Sequence, residues 1–218
     1  MVIVDKIFEY KIKDFLSHKK DDDIIYVTDF IKCPMKEYYE KIYRDLAIED
    51  QKAPTVIMGD FVHIGLQEFI KNIFPNAQIE VEVGKDIQVN GKKVKIRGRL
   101  DALIEVNGEK IIVEIKSRKS GESIPKDYHI LQLQLYLWIT GIKKGLLVYV
   151  THGKIAEFEV ENTLTDKEVI EMAKEVLEFK KVPKFEWECR HCVFNSVCKY
   201  KIDTSLLPSL SNENKKNF

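Results

Sequence analysis

The feature that most restricts the fold is a pair of apolar runs joined by Asn107-Gly108, in the segment GRLDALIEVNGEKIIVEIKS that spans residues 98–117. Asn and Gly both tolerate the positive φ of a type I′ turn, so the segment predicts a hairpin with a two-residue loop. Such a loop makes Val106 face Glu109 and thereby determines every other pair. The predicted pairs on the apolar face are Leu100 with Ile115, Ala102 with Val113 and Ile104 with Ile111. A shift of one residue would mix apolar and charged positions, which supports this register.

The opposite face of the hairpin carries two facing carboxylates. In this register Asp101 lies opposite Glu114, and Lys116 points to the same face two residues further along. Facing carboxylates repel each other, and a bound divalent cation is the simplest compensation. Carboxylate oxygens suit the hard cations Mg²⁺ and Mn²⁺, and a neighbouring lysine can orient a metal-bound water or stabilise phosphate charge. A second turn at Asn90-Gly91 would place Glu80 opposite Asp101 as a further acidic candidate.

Hydrophobic periodicity elsewhere in the chain predicts an α/β fold. Helical spacing covers residues 4–18 and 55–73, and Thr28 is a candidate N-cap of a short helix, followed by another that ends at Tyr43. The remaining predicted elements are strands 78–89, 92–106 and 109–118, a helix at 124–140, strands 145–150 and 154–161, and a helix from Asp166 to Lys180. The first three of these strands form a meander through two Asn-Gly turns.

The chain has no net charge, because 35 Lys and Arg residues balance 35 Asp and Glu residues. No overall field therefore draws it to a polyanion, and any contact with nucleic acid must be local. The basic residues close to the hairpin are Lys92, Lys93, Lys95, Arg97, Arg99, Lys116, Arg118 and Lys119. The N-terminus lacks the apolar region of a signal peptide, and no apolar run approaches the length of a membrane span. We therefore expect a soluble, cytoplasmic protein that does not interact with membranes.

Two further candidate features lie outside the hairpin. His63 belongs to the predicted helix 55–73, where a neutral imidazole could supply a nitrogen ligand, although such a histidine is more often a partly buried structural residue. Gln132 and Tyr136 lie four residues apart on one face of the helix at 124–140. That pair could hydrogen-bond a phosphate or hold Lys116 in place, or Tyr136 could simply pack in the core. Each feature is weak alone, and their occurrence together favours a catalytic site.

All four cysteines fall into a pattern suited to metal binding: Cys33 alone, then Cys189, Cys192 and Cys198 near the C-terminus. An even number of cysteines also allows two disulfides, but these need an oxidising compartment that the N-terminus does not indicate. Four thiolates can hold structural Zn²⁺ in a tetrahedron or ligate an iron–sulfur cluster. The residues alone leave these two kinds of site open.

The order of the candidate residues along the chain resembles that of the RecB-like branch of the PD-(D/E)xK nucleases. The matching positions are His63, Asp101, Glu114-Ile115-Lys116 and Gln132-x-x-x-Tyr136. The resemblance implies a restriction-endonuclease-like core, in which helices flank a central mixed sheet. It implies a Mn²⁺ or Mg²⁺ ion held by His63, Asp101, Glu114 and the backbone carbonyl of Ile115. It also implies that Lys116 acts with the two carboxylates in catalysis, with Gln132 and Tyr136 in support. One departure is that Gly98-Arg99-Leu100-Asp101 stands where the superfamily's name gives Pro-Asp.

The cysteine pattern narrows the resemblance to the CRISPR-associated RecB-like exonucleases, over residues 28–200. Cys33-Pro34, followed by Lys36 and Tyr38-Tyr39, is similar to their N-terminal CP motif. The resemblance implies that all four cysteines bind a [4Fe-4S] cluster, which joins the chain ends around the core. A [2Fe-2S] cluster and zinc are the alternatives. It further implies cleavage of single-stranded DNA or DNA ends, often from the 5′ end, and processing of new spacer DNA beside the CRISPR adaptation integrase.

We divide the chain into four segments on this basis. They are an N-terminal helical region at 1–54 that contributes Cys33, a RecB-like core at 55–186, a C-terminal cysteine segment at 187–200 and a tail at 201–218 that we expect to be disordered. Two other functions remain open: a stand-alone repair or recombination nuclease with the same core, and a non-catalytic, zinc-bound DNA-binding module. A homo-oligomer is also compatible with the sequence.

Overall fold

The fold is built around one mixed β-sheet. A computed structural model describes residues 2–17, 23–121 and 123–203. The strands are β1 (Ile24–Tyr26), β2 (Gln78–Val89), β3 (Lys92–Val106), β4 (Glu109–Arg118), β5 (Lys144–Thr151) and β6 (Ile155–Glu161). In the sheet, β1, β3, β4, β5 and β6 follow one another, and β2 also pairs with β3. β1 runs parallel to β3 and β4 parallel to β5, whereas the other neighbours are antiparallel. The predicted α/β class with a central mixed sheet is confirmed.

Helices pack on both faces of this sheet. They are α1 (Val2–Ser17), α2 (Pro34–Ile42), α3 (Arg44–Gln51), α4 (Pro54–Ile73), α5 (Asp127–Thr140), α6 (Asp166–Leu177) and α7 (Glu188–His191), with a 3-10 helix at Val27–Ile31. No helix within the described ranges is both long and apolar enough to cross a lipid bilayer.

The sequence missed three short elements and misplaced one helix start. β1 has three residues, α3 has eight and α7 has four, which leaves too few positions for a clear period. Thr28 was the expected N-cap, but the 3-10 helix begins at Val27 and follows Tyr26. The expected disorder of the tail falls on residues that lie almost entirely outside the described part of the chain.

The hairpin at Asn107-Gly108 has the predicted register over five pairs, which end at Ala102 and Val113. Both turn residues have positive φ, 53° at Asn107 and 81° at Gly108, as a two-residue loop requires. The other Asn-Gly turn likewise gives β2 and β3 the predicted register, except that the predicted pair Glu80–Asp101 is not part of the described ladder and Glu80 has a positive φ of 55°. Local turn chemistry therefore determines the meander.

The hairpin ladder stops one pair before the charged positions. The predicted pairs Asp101–Glu114 and Leu100–Ile115 are not part of the described ladder, so this portion of the predicted register is wrong. Leu100 and Ile115, expected on one apolar face, pack in different hydrophobic clusters. The strands separate because β3 changes its face near Asp101 while β4 continues its regular alternation.

Where β3 and β4 separate, an edge of β3 is left open between two partners. β2 pairs along one edge of β3, so β1 and β4 share the other edge. β1 takes residues 95–97 and β4 takes residues 102–106. We call the intervening residues 98–101 the fork segment. β2 still pairs with this segment on its other side, but the backbone groups that face the β1/β4 edge are available to side chains rather than to a neighbouring strand.

Two hydrophobic clusters hold the helices against the sheet. The larger contains α5 residues such as Leu133 and Leu137, together with Val169 of α6, and packs on one side. The smaller contains Ile70 of α4 and Ile115 of β4. Because α5 follows β4 and leads to the parallel strand β5, it packs directly beside the fork segment. The fork is therefore lined by α4 and α5.

Candidate active site

Asp101 ends the fork segment, and its carboxylate spans the gap between β3 and β4. Its Oδ2 accepts the backbone N–H of Ile115 at 2.7 Å. In a regular hairpin this N–H would bond to the backbone of Leu100, so the Asp101 side chain replaces a backbone acceptor where the ladder stops. The N–H and C=O of one strand residue point to the same edge, and the carbonyl of Ile115 therefore also faces the fork.

His63 reaches Asp101 from α4. Its Nδ1 lies 3.3 Å from Asp101 Oδ1. Burial lowers the pKa of His63, but the hydrogen bond to Asp101 and its charge, with a contribution from Glu114, raise it more, so the pKa lies above 6.5. The imidazole and the carboxylate predicted to share a metal are thus in contact.

Glu114 and Lys116 form a buried ion pair. Glu114 is 2% exposed, and its Oε1 lies 2.7 Å from Lys116 Nζ, which also donates to Gln132 Oε1 at 2.8 Å. Burial raises the pKa of Glu114 to about 7; the charge of Lys116 opposes this rise and that of Asp101 adds to it. Among the described atoms, Glu114 Oε2 is buried without a hydrogen-bond partner. An unpartnered buried oxygen costs free energy unless a proton or cation meets it, so Glu114 is a strong candidate ligand.

Tyr136 covers the fork segment from α5. A Cβ atom at Gly98 would lie 2.5 Å from Tyr136 Cε1, so the ring lies directly over this glycine. The Tyr136 hydroxyl contacts the backbone of Arg99, and Gln132 Nε2 lies 3.5 Å from it. Burial raises the pKa of Tyr136, so the hydroxyl keeps its proton at neutral pH. The Tyr136 hydroxyl therefore supplies a hydrogen-bond partner to the backbone of β3 on the part of the edge that neither β1 nor β4 pairs with.

Gln67 is a buried residue at the site that the sequence analysis missed. It follows His63 by one helical turn on α4, and its Nε2 donates to the Asp101 carbonyl at 3.2 Å and to the Glu80 carboxylate. Glu80 also accepts Arg99 Nε at 2.6 Å; the strand pairs on either side of it have the predicted register, but Glu80 itself is not paired with Asp101 in the described ladder. The spacing of four residues between His63 and Gln67 was the signal that could have identified it.

The structure brings the predicted side chains together around the fork. They are His63, Asp101, Glu114, Lys116, Gln132 and Tyr136. In the described part of the chain, however, no three His, Cys, Asp or Glu side chains are already arranged around one point as metal ligands. The available donors are an imidazole nitrogen, carboxylate oxygens and a carbonyl, which together suit Mg²⁺ or Mn²⁺. The site therefore fits a hard divalent cation by its chemistry, with Glu114 Oε2 as a free oxygen donor.

The four cysteines line one pocket near the chain ends, with a volume of about 360 Å³ including its open mouth. All four thiols are free, so the two disulfides considered from the sequence are not formed. Burial raises the pKa of Cys33 to about 11, and the backbone N–H of Met35 opposes this rise. Burial also raises the pKa of Cys192, opposed by the N–H of Phe194. The raised pKa values favour the protonated thiols, so a bound cation would be needed to keep them as thiolates. The pocket fits a four-thiolate site because all four sulfur donors line it.

A carboxylate holds the two parts of this pocket together. Glu188 Oε1 accepts the backbone N–H of Cys33 at 2.8 Å, across 155 positions of the chain. Glu188 Oε2 accepts the N–H of Phe185, also at 2.8 Å. Both oxygens of Glu188 are therefore used to fix the N-terminal cysteine beside the C-terminal segment.

Comparison with known proteins points to the same chemistry. A family model for the PD-(D/E)XK nuclease superfamily matches residues 72–199. The CRISPR-associated exonuclease Cas4 of Saccharolobus solfataricus is 40% identical over 202 residues, which cover 92% of this chain and all of that protein. The crystal structure of SSO0001 has a TM-score of 0.89 and 40% identity, over 93% of this chain and 98% of that one. The chain therefore belongs to the PD-(D/E)XK nuclease superfamily and, within it, to the family of the Cas4 exonucleases, and is an enzyme of the nuclease class.

Proposed function

We propose that the protein is a metal-dependent exonuclease that cleaves single-stranded DNA, from the 5′ end, and processes DNA ends for CRISPR spacer acquisition. The observation that supports this most is the fork, where Asp101 and Glu114 lie beside Lys116 and one buried carboxylate oxygen has no hydrogen-bond partner among the described residues. The 40% identity with an exonuclease of CRISPR-associated function supports the biological role. The CRISPR adaptation integrase is then the expected partner, and self-association is a further proposal.

His63, Asp101 and Glu114, with the carbonyl of Ile115, would hold Mn²⁺ or Mg²⁺. When bound, such a cation polarises a phosphate and lowers the pKa of a coordinated water. The chain itself positions Lys116, because Glu114 and Gln132 bind its ammonium group on two sides. From there the ammonium can orient the attacking water or offset the charge that develops on the phosphate.

Gln132 and Tyr136 take supporting positions in this proposal. Gln132 holds the lysine at 2.8 Å, and Tyr136 lies over the fork segment with a protonated hydroxyl. Both side chains are neutral, and Lys116 would keep its ion pair with Glu114 if either were lost. Substitution of either should therefore reduce cleavage less than substitution of Lys116.

The cysteine pocket would hold a [4Fe-4S] cluster ligated by Cys33, Cys189, Cys192 and Cys198. Four free thiols that line one pocket support a metal site, and backbone N–H groups lie next to two of them, Cys33 and Cys192. A [2Fe-2S] cluster or Zn²⁺ would use the same thiols, and zinc would suit the alternative of a non-catalytic DNA-binding module. Colour decides between them: purified protein that is brown and contains iron supports a cluster, whereas colourless protein with zinc contradicts it.

The decisive test compares Asp101→Ala, Glu114→Ala and Lys116→Ala for cleavage of 5′- and 3′-labelled single strands with Mn²⁺ or Mg²⁺. We expect at least a hundredfold loss of cleavage in each, about the effect of removing one preorganised electrostatic group. The two carboxylate variants should still bind the strand, because removing negative charge does not weaken attraction to phosphate. Release of the label first from 5′-labelled strands is the expected polarity.

Glu105→Ala and Lys110→Ala provide the matched control. These residues face each other on the same two strands, are exposed, and lie away from the fork. They should cleave like the parent protein. If the three site variants also kept parental cleavage with an intact fold, the proposed nuclease site would be wrong. A protein that cleaves but is required only for repair would favour the stand-alone repair nuclease.

A further inference from the structure

A row of contacts between α5 and β4 continues beyond the proposed site. Residues 128, 132 and 136 follow one another at intervals of four on one side of α5, while 114, 116 and 118 alternate on one face of β4. Lys116 binds Gln132, and at the next step Arg118 Nη1 donates to the Tyr128 hydroxyl at 3.0 Å. The Arg118–Tyr128 pair is therefore the immediate neighbour of the lysine that would act on the phosphate.

Tyr128 belongs to an aromatic group that the proposed reaction does not use. Its ring centroid lies 5.3 Å from that of Trp187 and 5.5 Å from that of Phe185. Phe185 and Trp187 stack with their planes 14° apart. All three rings are only partly buried, unlike the fully buried side chains of the adjacent core. We call Tyr128, Phe185 and Trp187 the aromatic platform.

Positive charge borders this platform. In the described part of the chain, Arg118 donates a hydrogen bond to the Tyr128 hydroxyl and forms no ion pair. Arg97 and Arg99, in contrast, are paired with Asp86 and Glu80. A guanidinium has five N–H donors, so Arg118 keeps donors for a phosphate. Lys116 and Lys126 lie near the same place, since their charges and that of Arg118 act together on His129.

We propose that the aromatic platform, with Arg118, binds one base and its phosphate in a single-stranded nucleic acid, next to the bond that is cleaved. Aromatic side chains beside a basic groove are the combination by which proteins bind single strands without sequence preference, since every base has a face that can stack. Paired bases in a duplex have no free face, so the platform selects unpaired strands. This inference rests on the proposed function, because it supplies the substrate contacts of that site.

Intrinsic fluorescence can test the platform directly. The chain has two tryptophans, Trp187 and Trp138, and Trp138 is 6% exposed and donates to Asp166. A Trp138→Phe variant therefore reports on Trp187 alone. Without added divalent metal, an oligothymidylate should quench this fluorescence in a saturable manner. A strand of the same length and charge that lacks all bases should quench it far less and bind at least fivefold more weakly.

Substitutions then separate stacking from charge. Trp187→Leu and Tyr128→Leu should each weaken oligothymidylate binding at least fivefold while changing binding of the base-free strand by less than twofold. Arg118→Gln should weaken binding of both strands. The control is Tyr10→Leu, which should bind like the parent, because this tyrosine is 71% exposed and lies on α1, a helix that contributes no residue to the platform.

The outcomes distinguish this inference from the proposed function. If the parent cleaves single strands but Trp187 responds equally to strands with and without bases, the platform is only structural packing and the inference is wrong. If the platform variants lose discrimination against base-free strands but keep their fold and metal content, the inference is supported. If the parent neither binds nor cleaves any strand, the proposed function and the inference both fail.

Discussion

His129 shows at the scale of one residue how burial sets a protonation state. Burial, together with the nearby charges of Lys116, Arg118 and Lys126, lowers the pKa of His129 to about 2. The neutral ring keeps Nδ1 as an acceptor, 2.7 Å from the Tyr149 hydroxyl. That hydroxyl accepts the N–H of Lys126 at 3.0 Å, so its own proton is free for His129. The ring therefore holds the start of α5 against β5.

This arrangement predicts a pH dependence of stability. As the pH falls below 6.5, the unfolded chain takes up a proton at His129 that the folded protein excludes, so the free energy of unfolding decreases. One such group can change the free energy of unfolding by at most about 1.4 kcal/mol per pH unit. Because His129 is partly exposed, the change should be smaller than this limit. In His129→Gln the loss of stability between pH 6.5 and pH 4 should be smaller than in the parent, as measured by urea denaturation. The exposed His152→Gln should follow the parent, and equal slopes in all three proteins would contradict the prediction.

Packing between two elements, α5 and β3, holds the fork in shape. Tyr136 lies on Gly98, where a Cβ atom would also come within 2.9 Å of Val27 Cγ2. The φ of Gly98 is not positive, so the position does not need a glycine for its backbone conformation. A glycine is needed because a Cβ atom would be too close to Tyr136 and Val27. The glycine allows an aromatic ring of α5 to cover the backbone that β4 leaves open.

Gly98→Ala should therefore displace Tyr136 and reduce both stability and cleavage. Overpacking of this kind costs about 1–3 kcal/mol, which thermal denaturation can measure. In combination with Tyr136→Leu, which removes the clashing ring atom, the loss of stability should be smaller than the sum of the single losses. Gly153→Ala, which meets nothing within 4 Å, should be neutral. Strictly additive losses at Gly98 and Tyr136 would show that the ring does not determine the requirement for glycine.

At the scale of the whole molecule, the cysteine pocket joins the N-terminal region around Cys33 to the C-terminal segment that contains the other three cysteines. Met35, Tyr39, Ala47 and Phe194 form a separate small hydrophobic cluster, against which three of the cysteines pack. The hydrogen bond from the Cys33 N–H to Glu188 joins residues that are 155 positions apart in the sequence. A metal bound here would close one long loop, so its binding free energy would add to folding free energy.

Cys33→Ser should consequently lower iron content and melting temperature together. The thiolate is lost while the side-chain volume is nearly kept, so a fall in stability would reflect the missing ligand. Met35→Leu in the same pocket conserves volume and should keep the iron, with a loss of stability below about 1.5 kcal/mol. Iron analysis and thermal denaturation on the same preparations are sufficient. Full iron with an unchanged melting temperature in Cys33→Ser would remove Cys33 from the ligand set.

The sequence by itself determined the features that depend on neighbours in the chain. Turn chemistry at Asn107-Gly108 and alternation along the strands were sufficient for the meander and its register as far as Ala102. The same signals identified Asp101, Glu114 and Lys116 as charged residues on otherwise apolar strands, which indicates a functional site. A two-residue turn has few allowed conformations, so it determines which residues pair in the two strands for several positions beyond the turn.

Only the tertiary structure decided where the strands separate and what enters the gap. The fork depends on β1 taking part of an edge of β3, and β1 lies far from that edge in sequence. Gln67 and the meeting of Cys33 with Glu188 likewise depend on contacts between distant segments. A local pattern contains no information about which distant segment covers an open edge, because packing of the complete core selects it.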